Sequence, residues 1–120
     1  MNISERVKHS EFLSPILERE KMTEAELLQG LAAGSIVIPW NPRHKNLKPV
    51  AIGKGATTKV SASIGMYSPE DTPEKEMEKL KAAVAAGTDS LMDLSVRGDM
   101  GAFRRQVVES AVVPVGSLPL

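Results

Sequence analysis

The chain has no cysteine. Within these residues that excludes a disulfide framework, a cysteine-ligated zinc and an iron–sulfur cluster, and it fits a cytoplasmic setting. Aromatic residues are nearly absent as well. Phe12, Trp40, Tyr67 and Phe103 are the whole set, so the core must be built from Val, Ile, Leu, Met and Ala. There is no excess of charge of either sign, since 15 basic residues balance 15 acidic ones for a formal net charge of +0. A dedicated nucleic-acid surface, which needs a basic excess, is therefore not expected. No apolar run reaches the length of about 18 residues that suggests a transmembrane helix. The opening "MNISERVKHSEF" lacks the apolar stretch of a secretory signal. No membrane partner follows from either feature. Internal repeats and low-complexity segments are also missing.

What is present is enough for a packed core: 120 residues, of which 42% are hydrophobic. That length makes one small domain or part of a larger one. The first 35 residues read as helical. "SPILEREK" is a short helix with Pro15 at its start. In "MTEAELLQGLAAGS", Thr23 and Glu26 have capping-box spacing, Leu27, Leu28 and Leu31 form an apolar face, and Gly34 suits the position just past the end. "SIVIPWNPRHKNLKP" then opens with a β-branched run that Pro39 cuts off. Prolines at 39, 42 and 49 make the rest an extended connector with little regular structure. Residues 1–49 are thus read as an N-terminal helical segment with a Pro-rich connector.

From residue 50 to 120 strand and helix alternate. "TTKVSASIG" is a strand ending at Gly65, preceded by a turn in "GKGATTK". "DTPEKEMEKLKAAVAAG" is the strongest helix. Thr72 caps it, Pro73 suits its first position, Glu74 and Glu76 complement the dipole, Met77, Leu80 and Val84 share a face, and Gly87 ends it. "DSLMDLS" is a second strand, "DMGAFRRQVVES" a second helix with Met100, Phe103 and Val107 inward, and "VVPVGSLPL" a third strand. The fold class is α/β in a β-α-β-α-β order. Strand starts near 58, 89 and 113 repeat at the unit length of a (β/α)8 barrel, in which about 250 residues make eight units. Three strands cannot close a barrel, so the segment is either a small open sheet or the opening piece of a barrel that is incomplete in this chain.

In parallel α/β folds the active positions lie at the C-terminal ends of strands. That selects Ser63, Ile64 and Gly65, then Met92, Asp93 and Ser95, then Gly116 and Ser117. By pattern alone Met92 is most simply a core methionine. Asp93 sits in an otherwise apolar strand and needs polar partners if buried; a nearby site and a strand-end turn contact both satisfy that. "SVRGD", with Ser95, Arg97 and Gly98, can offer a phosphate backbone N–H groups and a guanidinium, but it has neither P-loop nor dinucleotide spacing. His9 and His44 stand far apart with no carboxylate at ligand spacing; the surface is the default for both, and no metal ligand is assigned. No catalytic residue can be named.

The ordered segments "GSIVIPWNPRHKNLKPVAIGKGATTKVSASIG", "EKEMEKLKAAVAAGTDSLMDLS" and "VVPVGSLPL" resemble the phosphomethylpyrimidine synthase family. That is the thiamine-pathway family that rearranges aminoimidazole ribotide, with 5-hydroxybenzimidazole synthase as a paralogue on the same substrate. The resemblance runs from about Ile16 to Leu120 and implies a (β/α)8 barrel of which this chain is an N-terminal fragment. It implies that Met92 of "MDLS" lines the ribotide site, and that Ser63 of "SASIG" stands where the family has a substrate asparagine. A serine offers one hydroxyl where the amide offers a donor and an acceptor on a longer arm. "GMYS" and "SVRGD" also depart from the family pattern, which implies a diverged paralogue. For the full-length family the resemblance implies a [4Fe–4S] cluster, S-adenosylmethionine and a divalent metal, none of them bound by this piece. The resemblance implies activity only as part of a full-length radical lyase, and the piece alone is expected to be inactive. The alternative expectation is a non-catalytic remnant or subunit that binds a partner chain completing the barrel; a homo-oligomer is also left open.

Overall fold

The computed structural model of the chain describes residues 2–118. Pro119 and Leu120, the end of the expected third strand segment, lie outside the described residues, as does Met1. The chain forms two compact units, 1–40 with 48–58 and 41–47 with 59–120.

In the first unit each helix starts or stops where local chemistry dictates. Helix α1 (Ile3–Lys8) opens on an Asn2–Glu5 capping box. Helix α2 (Leu13–Glu20) begins slightly before Pro15. Helix α3 (Glu24–Ala33) opens on the expected box. The Glu26 N–H donates to the Thr23 hydroxyl at 3.2 Å and the Thr23 N–H donates to the Glu26 carboxylate at 2.8 Å. These bonds from Thr23 hold the Glu26 carboxyl below its ordinary value. Gly34 ends α3 in the left-handed conformation, with φ of 72°. Ile16 and Leu27 are wholly buried at the centre of this unit, among Val7, Met22, Leu31, Ile36 and Ala51. Strands β1 (Ile36–Val37) and β2 (Ile52–Gly53) pair antiparallel, with Val37 opposite Ile52. The expected turn at 53–56 follows β2, but the partnership of 36–37 with 52–53 was not visible in the sequence, because it is non-local and carries no periodicity.

The second unit has the expected β-α-β-α-β order: β3 (Ser61–Ile64), α4 (Pro73–Ala85), β4 (Ser90–Asp93), α5 (Met100–Ser110) and β5 (Val115–Ser117). The strands are parallel, in the order β3-β4-β5. Among the described residues they make a small open sheet, not a closed barrel. Thr72 and Asp99 cap α4 and α5 through the amides of Lys75 and Ala102. Phe103, Val107, Met77 and Leu80 bring both helices onto Ile64 and Leu91. Met100, expected inward, is only half-buried. Another expectation fails at His44, which is buried rather than on the surface: its Nε2 lies 2.6 Å from the Ala111 carbonyl oxygen. A carbonyl only accepts, so Nε2 carries a hydrogen. With Asn46, which donates to the Glu109 carbonyl at 3.3 Å, it fastens the connector to the end of α5. Among the described residues no helix is long and apolar enough to cross a membrane.

Candidate functional site

Alternation along the strands sorts the sheet into two faces. Ala62, Ile64, Leu91 and Val115 point toward α4 and α5 and join their core. The intervening residues point the other way. Register aligns Ser61 with Ser90, and places Ser63, Met92 and Gly116 in one row across all three strands. Ser63 is exposed, while Met92 and Gly116 are half-buried. Met92 is therefore not a member of the helix-facing core, but lies half-buried on the opposite face of the sheet. Its Sδ and Cε each lie 3.1 Å from where a Cβ on Gly116 would stand, so the thioether packs closely over β5 and would have to shift slightly for a larger residue there.

Beside this row the strand ends are fastened by buried carboxylates. Asp93 is wholly buried. Its Oδ1 accepts from the Ser95 N–H at 2.9 Å and the Ser95 hydroxyl at 2.5 Å, and its Oδ2 accepts from Arg104 Nε at 2.8 Å. Ser95 Oγ in turn accepts from the Met66 N–H at 3.0 Å. Backbone bonds from Leu94 to Ile64 and from Val96 to Met66 continue the pairing past the ends of β3 and β4. Gly65 sits in the seam at φ of 148°, where an added Cβ would stand 2.7 Å from the Ser95 nitrogen. The Gly65 N–H donates to Glu76 Oε2 at 2.8 Å, and Lys79 Nζ lies 2.7 Å from the other oxygen of that carboxylate. This partnership raises the Lys79 ammonium above its ordinary range. Glu76 lies in the first turn of α4, as expected for the helix dipole, and is in addition turned inward and almost wholly buried.

Of the residues singled out from the sequence, Ser63 and Met92 thus come together in one row. Ser95 is expected at the rim but is wholly buried, with its hydroxyl committed to Asp93 and Met66. Arg97 and Gly98 lie exposed on the β4–α5 turn, Gly98 with φ of 75°. The Asp99 carboxylate accepts from the Ala102 N–H at 2.9 Å, so part of the anion-binding capacity of this turn is already used within the chain. Arg104 was missed by the sequence reading, and Glu76 was named only for the helix dipole, not for its hold on Gly65. The available signal was spacing: Arg104 follows Met100 at i+4 and precedes Val107 at i+3, and Glu76 precedes Leu80 at i+4, so each charge falls on an apolar stripe. The β3–α4 loop carries one more carboxylate. Asp71 accepts from the Tyr67 and Ser68 N–H groups, each at 2.7 Å, and these bonds, that of Ser68 foremost, hold its carboxyl below its ordinary range.

A model of the radical SAM ThiC family matches residues 1–120. The chain is 48% identical over 105 residues to a phosphomethylpyrimidine synthase of Thermoanaerobacter sp. (strain X514), covering 88% of this chain and 24% of that protein. It is 43% identical over 123 residues to the 5-hydroxybenzimidazole synthase BzaA of Eubacterium limosum, covering 100% of this chain and 29% of that protein. To BzaA of Moorella thermoacetica (strain ATCC 39073 / JCM 9320) it is 44% identical over 124 residues, 100% of this chain and 28% of the other. The chain spans about a quarter of the length of these relatives. With a family match over its whole length, the chain belongs to the radical SAM ThiC family.

Proposed function

We propose that this chain is the N-terminal part of a phosphomethylpyrimidine synthase-like radical enzyme, the opening units of a (β/α)8 barrel, and that the open sheet face positions aminoimidazole ribotide. One observation carries the reading. Ser63, Met92 and Gly116 form a cross-strand row on the face that α4 and α5 leave uncovered. A thioether is soft and polarisable and suits the edge of a heteroaromatic ring. The Ser63 hydroxyl supplies one donor and acceptor capacity. Arg97 and Gly98, at the end of the same strand, supply a guanidinium and open backbone for a phosphate. Ser95 supports this turn from beneath.

The cluster and metal of such an enzyme do not fit the residues present. The sequence has no cysteine, and among the described residues no group of three or more His, Asp and Glu side chains could hold a metal ion. In this reading the cluster, S-adenosylmethionine and divalent metal are held outside these residues, and no chemical step is assigned to this chain. Its part is binding and orientation. The test is a titration of the full chain, labelled at its methionine methyl groups, with aminoimidazole ribotide. The Met92 methyl resonance should move saturably, while that of Met77, buried between α4 and the sheet, should not. A Met92 signal unmoved at millimolar ribotide sinks the reading.

A further inference from the structure

We propose that Arg104 and Asp93 form a positioning pair that sets the site row and its two flanking loops from the helix side of the sheet. The argument rests on the reading above, in which the mouth beside Met92 receives the ribotide. Asp93 directly follows Met92 in β4 but points to the opposite face, where no solvent reaches it. One of its oxygens takes the Arg104 Nε–H from α5. The other takes both the N–H and the hydroxyl of Ser95, and the Ser95 oxygen then holds the Met66 amide of the β3–α4 loop. A single path of hydrogen bonds therefore joins helix α5, the end of β4, the β4–α5 loop and the β3–α4 loop. Side chains reinforce it, since the Met66 Cε lies 3.4 Å from where a Cβ on Gly98 would stand.

Neither residue faces the open side, so neither touches a ligand there. They act through the backbone of β4 and through Ser95. Arg104 suits the task because its guanidinium is planar and always charged, so the direction of its Nε–H is fixed by packing and not by pH. The Arg104 side chain keeps 31% of its exposure while that of Asp93 keeps none, so the pair is anchored on the buried carboxylate. Partners one layer behind a site residue commonly carry large effects because they fix its orientation.

The test uses Arg104→Met, Arg104→Lys and Ser95→Ala in the full chain, with two readouts. The first needs no ligand: the Met92 methyl and Met66 amide resonances. The second is ribotide affinity. Arg104→Met should displace both resonances and weaken the ribotide about tenfold, the lower end of what outer partners of a site carry. Arg104→Lys, which keeps a cation, should recover part of both. If Arg104→Met does not fold, Ser95→Ala decides in its place, because it keeps the ion pair and cuts the link to Met66. It should move the Met66 amide and weaken the ribotide. A variant that melts earlier but leaves the Met92 and Met66 signals and the affinity at their original values overturns the proposal, since a purely structural pair does that. Failure of the functional reading looks different. The unaltered chain then ignores the ribotide, while Arg104→Met still displaces the Met92 methyl, which upholds the positioning pair.

Discussion

The two faces of the parallel sheet are made by the same three strands and differ in nearly everything else. Toward the helices stand Ala62, Ile64, Leu91, Asp93 and Val115, packed under Phe103, Val107, Met77 and Leu80 or tied to Arg104. Away from them stand Ser61, Ser63, Ser90, Met92 and Gly116, three serines and a glycine beside one methionine. On the first face every buried polar group described above has a partner, and every large apolar group is packed. On the second, the hydroxyl of Ser63 is exposed and the thioether of Met92 is half covered. A face that spent its residues on stability would place branched aliphatics where these serines are. The difference separates what packs under the helices from what they leave uncovered.

The largest effect is expected on the helix side. Phe103→Ala removes the one aromatic ring of that core, which is 2% exposed. Truncation of a buried Phe costs about 3–5 kcal/mol, a large fraction of the stability of a small unit. Urea unfolding should show it, and a loss below about 1 kcal/mol would mean that the helices do not pack on the sheet as described. Next comes the seam between the faces. Gly65→Ala puts a methyl group against the backbone of Leu94 and Ser95 at a positive φ. Since the obstacle is backbone and cannot swing aside, a loss of about 2 kcal/mol is expected. An unchanged midpoint would refute the close approach of the two strand ends.

On the open face the same kind of truncation should behave differently. Met92→Ala removes a side chain that is only half-buried and lies over a glycine. The stability loss should be about 1 kcal/mol, below the usual range for a buried methionine, while the response to ribotide disappears. If Met92→Ala instead destabilises as much as Phe103→Ala, the open face is core and the comparison collapses.

Much of this was legible beforehand. Helix ends carry their own signals, so Thr23, Gly34, Thr72 and Pro73 announced α3 and α4 without help from the rest of the chain. The β-α-β-α-β order followed from period and turn residues. Met92 and Ser63 were named from strand ends and resemblance, but the register that brings them side by side is seen only in the structure. The missing parts depend on distant partners. Strand β2 exists only because Ile52 meets Val37. His44 is buried only because α5 ends near it with a bare carbonyl at Ala111. The hydroxyl of Ser95 is occupied only because Asp93 and Met66 converge on it. Periodicity records which way a residue faces and is silent on what it meets there.

The smallest effect concerns the β3–α4 loop, which Asp71 helps to hold. Asp71 gathers the amides of Tyr67 and Ser68, and these donors favour its ionised form, so its folded pKa lies below the ordinary 3.8. A carboxyl depressed on folding contributes stability that is fully present above its unfolded pKa and is lost as pH falls through the lower folded value. Asp71→Asn cannot ionise and should lack that contribution at every pH. The gap in melting temperature between the original chain and Asp71→Asn should therefore be constant above about pH 5. It should narrow as pH drops through 3.8 and below, and close once the native carboxyl is protonated. Asp71 is only half-buried, and solvent screens its charge, so the gap should be small. A gap that stays flat across this acid range would mean that the two amides do not read the charge of Asp71. The loop would then be held by Glu76 at Gly65 and by the bond from Met66 to Ser95.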